Sequence, residues 1–171
     1  MELKIAGFAE DSIVDGPGIR FTVFTQGCPH GCPGCHNPQT HDFNGGCTAD
    51  TDEIYKKVTS NPMLDGITLS GGEPFCQCKP LAELARKIHA FREFPLNVIA
   101  YTGYTFEYLL ENSTDENGYK ELLKEVDFLI DGPFILAQKS FDLHFRGSAN
   151  QRYIDVQKSL KQGKAVTVSD I

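Results

Sequence analysis

Three cysteines fall within one short segment, Gly27-Cys28-Pro29-His30-Gly31-Cys32-Pro33-Gly34-Cys35-His36-Asn37-Pro38. Thiolates are soft donors, and Cys28, Cys32 and Cys35 so close together read as ligands of one metal centre. Their spacing would also align them on a helix, but Pro29, Gly31, Pro33 and Gly34 make a helix costly. A tight loop around one compact centre is the better reading. Three thiolates leave a four-iron, four-sulfur cubane one ligand short, because a cluster held wholly by protein ordinarily takes four cysteines. The remaining iron is then open to an exogenous ligand. Structural zinc competes with this, with His30, His36 or His41 completing a tetrahedron. The loop alone leaves both open. Cys47, Cys76 and Cys78 are too scattered to hold a standard second cluster and read as incidental.

The elements that must position this loop show as apolar runs rich in β-branched and aromatic residues. Phe21–Thr25, Ile67–Ser70, Val98–Tyr101 and Phe128–Ile130 fit strands buried on both faces, and Tyr153–Val156 fits a final strand. Helical patterns lie between them at Thr51–Ser60, Leu81–Phe91, Phe106–Leu110 and Tyr119–Val126. The βαβα alternation predicts an α/β fold with a mostly parallel sheet, and 171 residues are too few for a closed eight-unit barrel of about 250. An open partial (β/α) barrel in a single domain, 1–171, is the expectation. In such sheets reactive groups collect after the C-terminal ends of strands. The cysteine loop follows the first of these runs, and Gly71-Gly72-Glu73-Pro74 follows the second. Glycines there let backbone approach a ligand closely, and the Glu73 carboxylate can face an ammonium group.

A formal net charge of −7 argues against a basic surface that grips nucleic acid or an anionic membrane. No apolar stretch approaches the roughly 18 residues of a membrane span. A cytoplasmic location is expected, where thiols stay reduced and cysteines serve as ligands more readily than as disulfides.

The Cys-x3-Cys-x2-Cys spacing resembles the signature of the radical S-adenosylmethionine superfamily, and Gly71-Gly72-Glu73-Pro74 resembles its element for the methionine end of the cofactor. The resemblance implies one 4Fe-4S cluster on Cys28, Cys32 and Cys35. It also implies S-adenosylmethionine contacts from Gly71, Gly72, Glu73 and Thr102 and from the backbone of Gly34, Cys35 and His36. Many members carry an aromatic residue where this chain has Gly34.

Ser12-Ile13-Val14-Asp15-Gly16-Pro17-Gly18-Ile19-Arg20 and Cys35-His36-Asn37-Pro38 are similar to segments of activating enzymes for glycyl-radical enzymes. Tyr101-Thr102-Gly103-Tyr104, Asp131-Gly132-Pro133-Phe134 and Phe145-Arg146-Gly147-Ser148-Ala149-Asn150-Gln151-Arg152 narrow the likeness to the activases of anaerobic ribonucleotide reductase. That family implies reductive cleavage of S-adenosylmethionine, with the 5'-deoxyadenosyl radical taking hydrogen from a glycine Cα of the reductase. The implied partners are the anaerobic ribonucleoside-triphosphate reductase and a reduced one-electron donor protein. No general base is needed, so no acid or base role falls to His30, His36 or Glu73. The Arg146–Arg152 segment is expected to dock the reductase, with closure over the cofactor as its other reading. Two further functions remain: activation of a different glycyl-radical enzyme, of the pyruvate formate-lyase type, and a zinc or electron-transfer module.

Overall fold

A computed structural model describes residues 1–169 of the chain. Its strands are β1 (Glu2–Ser12), β2 (Arg20–Thr25), β3 (Cys47–Asp50), β4 (Gly66–Gly71), β5 (Asn97–Tyr101), β6 (Phe128–Asp131) and β7 (Arg152–Asp155). The helices are α1 (Thr51–Thr59), α2 (Cys78–Ala90), α3 (Phe106–Glu111), α4 (Tyr119–Leu123) and α5 (Val156–Gln162). All seven strands form one sheet in the order β3-β1-β2-β4-β5-β6-β7. Its interior is parallel, through β2–β4, β4–β5 and β5–β6. Its flanks are antiparallel, through β3–β1, β1–β2 and β6–β7.

The expectation of a mostly parallel sheet is therefore corrected to a mixed one, open as expected, with β3 and β7 at its edges. Connectivity gives the reason. A parallel crossover needs a dozen or more residues, usually a helix, and only the stretch from Ile13 to Ile19 separates β1 from β2. β1 consequently folds back on β2. Between β6 and β7 there is no α-helix, only a short 3-10 turn at Leu136–Gln138, and β7 likewise returns antiparallel.

Side chains alternate across the sheet, and the two faces differ in kind. Phe21, Val23, Ile67, Leu69, Val98, Ala100, Leu129 and Ile154 share one buried cluster with Ile54 and Val58 of α1, Leu81, Leu84 and Ile88 of α2, Phe106 of α3 and Leu122 of α4. That face carries the helices. Side-chain caps help to set where they begin: Asp50 accepts from Asp52 N, Thr105 from Tyr108 N and Asp155 from Lys158 N. The opposite face carries a smaller cluster, Ile99, Ile130 and Tyr153, together with buried Arg20, Thr22 and Thr68.

Arg20 is 0% exposed and crosses β4 to reach β5. Its guanidinium donates to Thr68 Oγ1 at 3.1 Å, Ile67 O at 2.6 Å and Asn97 Oδ1 at 2.5 Å. Burial lowers its pKa to about 10. Replacing it orphans several buried acceptors at once, and Arg20→Met is expected to cost about 3 kcal/mol of stability. Urea unfolding should show a lower midpoint with an unchanged slope; an unmoved midpoint rejects this account of Arg20.

His89 at the end of α2 donates to Asp127 Oδ2 at 2.9 Å, with Glu125 3.7 Å away. The hydrogen bond to Asp127 raises its pKa above the ordinary 6.5, against the pull of burial. Because the folded value is the higher one, this contribution to stability is complete below pH 6.5 and is lost as pH rises through the folded value. His89→Gln should remove that component, so the stability difference between wild type and variant should shrink with rising pH in unfolding experiments.

Candidate active site

The parallel run β2, β4, β5 and β6 brings the C-terminal ends of these strands to one edge of the sheet. Their loops line a cleft of about 580 Å³. The loop after β2 contributes Cys28, His30, Cys32, Cys35 and His36; β4 and its loop contribute Ser70, Gly71 and Gly72. Tyr101, Thr102 and Gly103 follow from β5, and Gly132 and Phe134 from β6. The cleft extends onto the face without helices, where Asp15, Phe145, Arg146 and Gln151 complete its wall.

Cys28, Cys32 and Cys35 are all partly exposed to this cleft. The loop is shaped by backbone bonds, Cys28 N to His41 O at 3.2 Å and Cys35 N to Cys32 O at 3.1 Å. Among the described residues, no group of three or more His, Cys, Asp or Glu side chains is gathered as the ligands of one metal ion. A cubane asks for something different, because each thiolate binds its own iron corner. Thiols presented separately to one cleft fit that centre. Burial pushes the Cys28 thiol above its ordinary pKa, a backbone hydrogen bond from His30 opposes this, and the Glu73 carboxylate reinforces it. Cys47, Cys76 and Cys78 do not line the cleft. Cys78 is buried in the helix-side core, and burial pushes the Cys76 thiol up to about 12.

Glu73 follows the two glycines and turns into the interior. Its side chain is 0% exposed and does not line the cleft. Oε2 accepts from His30 Nε2 at 2.6 Å, Thr102 Oγ1 at 3.0 Å and Gly103 N at 2.9 Å, while Oε1 accepts from Phe75 N at 3.0 Å. A carboxylate so engaged is a tie between three loops. His30 is correspondingly committed to Glu73, and its ring packs edge-on against Tyr104 with centroids 4.5 Å apart. Thr102 does line the cleft, but its hydroxyl is also committed to Glu73.

The two glycines also lie close against neighbouring backbone. Gly72 N donates to Thr25 O and Glu73 N to Gly27 O, both at 2.8 Å. A Cβ on Gly72 would sit 2.4 Å from Gly27 O, and Gly71, at φ +93, would bring one within 2.5 Å of Thr25 N. The close approach is thus between the Gly-Gly shelf and the backbone that leads into Cys28. Gly34 does not line the cleft either; at φ +75 it lies against Leu136. Cys35 and His36 do line it, and the His36 ring lies 5.1 Å from that of Phe134.

Ser70, Tyr101, Gly132 and Phe134 also line the cleft and were not among the expected site residues, although Ser70 is the penultimate residue of β4, Tyr101 ends β5 and Gly132 follows directly after β6. Strand-end position was the available signal. The segment after Phe145 is stitched to the β6 loop. Gln151 Oε1 accepts from Gly147 N at 2.8 Å, Gln151 Nε2 donates to Gly132 O at 3.0 Å, and Asn150 Nδ2 donates to Pro133 O at 2.7 Å.

Residues 14–154 match the model of a family described as "4Fe-4S single cluster domain". The chain is 32% identical over 148 residues to an "Anaerobic ribonucleoside-triphosphate reductase-activating protein" of Haemophilus influenzae, covering 81% of this chain and 89% of that one. A protein of the same description in Vibrio cholerae is 35% identical over 146 residues, with the same shares covered. This chain belongs to the anaerobic ribonucleoside-triphosphate reductase-activating protein family. QueE from Escherichia coli aligns with a TM-score of 0.43 at 17% identity, over 61% of this chain and 54% of that one, a likeness too weak to inform the fold.

In this member of the reductase-activating family, the cysteine loop and the Gly-Gly shelf form one unit. A side chain at Gly72 must displace Gly27, the neighbour of Cys28. Gly72→Val is accordingly expected to disturb metal loading along with cofactor binding. Iron content after anaerobic reconstitution, measured on protein of native circular dichroism, should fall well below wild type. Full iron loading would show that the shelf approaches only the ligand.

Proposed function

We propose that the chain is a radical S-adenosylmethionine activase that generates a glycyl radical on anaerobic ribonucleoside-triphosphate reductase. The observation that carries this is the convergence of Cys28, Cys32 and Cys35 on the same cleft as Gly71 and Gly72, at the C-terminal edge of the parallel strands. The donor set fits one 4Fe-4S cluster, with the three thiolates as its protein ligands and one iron left to the cofactor. When bound, the cluster and S-adenosylmethionine supply the one-electron cleavage that yields a 5'-deoxyadenosyl radical able to take hydrogen from a glycine Cα.

The chain's own residues hold, orient and exclude. Glu73 fixes the cysteine loop against the loops after β4 and β5 through His30, Phe75, Thr102 and Gly103. Gly71, Gly72 and Thr102, with the backbone of Cys35 and His36, line the part of the cleft assigned to the cofactor. Helices seal one face of the sheet, and the cleft opens on the other, where a loop of a protein substrate can enter. No proton transfer by a side chain is required.

A reduced one-electron donor protein completes the reaction, and a cytoplasmic site suits thiols that must stay reduced. No helix among the described residues is long and apolar enough to cross a membrane. A single domain suits the chain, because one buried core runs from Leu3 to Val156. Residues 170 and 171 lie outside the described residues.

Anaerobic reconstitution should give about four irons and four sulfides per chain. Alanine at Cys28, Cys32 or Cys35 should abolish the cluster, while alanine at Cys47, Cys76 or Cys78 should preserve it. Stoichiometric zinc without sulfide would refute the assignment. A glycyl radical signal in electron paramagnetic resonance, formed on the purified reductase and absent from a pyruvate formate-lyase type partner, tests the target.

A further inference from the structure

The geometry points to Arg146 as the residue that binds the α-carboxylate of S-adenosylmethionine. The assignment rests on the cofactor chemistry proposed above and adds the group that reads the cofactor's charge. Arg146 Nε is buried and is the one buried side-chain nitrogen or oxygen without a hydrogen-bond partner among the described residues. Folded proteins rarely leave such a donor unmade, least of all on a charged group, so an acceptor is missing at this point. Arg146 lines the cleft that holds Cys28, Cys35, Gly71 and Gly72, which gives the acceptor's address.

The chain itself offers no acid for the place. Asp15 is the acidic residue lining the cleft, and its Oδ2 already accepts from Ser12 Oγ at 2.5 Å and Thr22 Oγ1 at 3.2 Å. Lys139, the other strong base there, is exposed and sits over the Phe141 ring at 4.9 Å. Arg146 is the less exposed of the two.

Its backbone is fixed on both sides. Phe145 has φ +57, a strained conformation for an aromatic residue, and its carbonyl accepts from Tyr101 Oη at 2.7 Å. On the other side Gly147 N is held by Gln151 Oε1, and Arg146 Nη1 donates to Gln151 O at 3.1 Å. Ser148, Asn150, Gln151 and Arg152 all direct their polar groups to neighbours within the chain. The docking role expected for this segment therefore finds few free groups, whereas Arg146 keeps one donor, Nε, without a partner.

A guanidinium prefers a planar anionic acceptor, carboxylate or phosphate. S-adenosylmethionine carries no phosphate, and its anionic group is the carboxylate of its methionine portion. An acidic side chain of the reductase would offer the same chemistry, so the test is made without reductase.

Isothermal titration of cluster-loaded protein under anaerobic conditions would compare S-adenosylmethionine with its decarboxylated form, in wild type, Arg146→Gln and Arg146→Lys. Arg146→Gln should weaken S-adenosylmethionine about tenfold or more and leave the decarboxylated form within about twofold of wild type, with Arg146→Lys intermediate. Equal weakening of both ligands, at matched iron content and circular dichroism, overturns the assignment in favour of a general structural role. Unchanged binding of both also overturns it, and if glycyl radical formation then falls, the acceptor belongs to the reductase. Failure of the wild type to bind either ligand overturns the proposed cofactor chemistry itself, and this assignment with it.

Discussion

A buried carboxylate fixes the geometry of this site. Glu73 is removed from solvent and tolerated because four donors from three loops converge on it. Such a charge is stable in the interior only when its hydrogen bonds are complete, so the loops must adopt the arrangement that completes them. The sheet makes this possible. In register, Thr25 of β2 lies beside Gly71 of β4, and Leu69 lies beside Ala100 of β5, so the three strands deliver their following residues to neighbouring points. Parallel topology supplies proximity, and Glu73 converts proximity into a fixed distance between the cysteine loop and the Gly71-Gly72 shelf.

The same constraint explains which features were legible in the sequence. Buried parallel strands read as continuous apolar runs, and those predicted at 21–25, 67–70, 98–101 and 128–130 lie inside β2, β4, β5 and β6. Helices with a broad apolar stripe, such as α2, were equally visible. β1 was missed although it has 11 residues, because its burial is confined to Leu3 and Ile5 at one end and its remainder is polar or half-exposed. β3 was missed because its four residues are exposed or intermediate, with little hydrophobic signal to find. Motifs placed the cysteines and the glycines correctly at strand ends. They could not show that Glu73 turns inward, since that depends on His30, Thr102 and Gly103 arriving from other strands.

The two faces of the sheet divide stability from access. The helix-bearing face holds most of the buried apolar side chains and supplies the hydrophobic driving force. The other face has a small apolar cluster and is organised by polar ties instead: Arg20 links β2, β4 and β5, and Asp15 holds the β1–β2 connection over it through Thr22 and Thr68. A face built in this way is held without a covering layer of helices. A second layer of helices here would close the route to the cleft, which the proposed entry of a protein substrate needs open.

The far side of the cleft is held by a parallel device of opposite sign. Arg152 on β7 bridges Asp131 at the end of β6 and Glu107 on α3, and Asp131 also accepts from Phe106 N at 2.8 Å. Asp131 is 1% exposed, so its charge, like that of Glu73, is stable only while its partners stay in place. Hydrogen bonding to Asp131 and Glu107 raises the Arg152 pKa, which keeps the guanidinium charged at any working pH. Arg152 therefore anchors the start of β7, and Gln151 and Asn150, immediately before it, bind the β6 loop carbonyls of Gly132 and Pro133. The segment ending in Arg152 is anchored at both ends, with Tyr101 holding Phe145 at the other. Between those anchors Arg146 lines the cleft, on a wall set by β5, β6 and β7 rather than by the cysteine loop. The walls of the cleft thus rest on two frames, one tied by Glu73 and one by Asp131, joined through the strands of a single sheet.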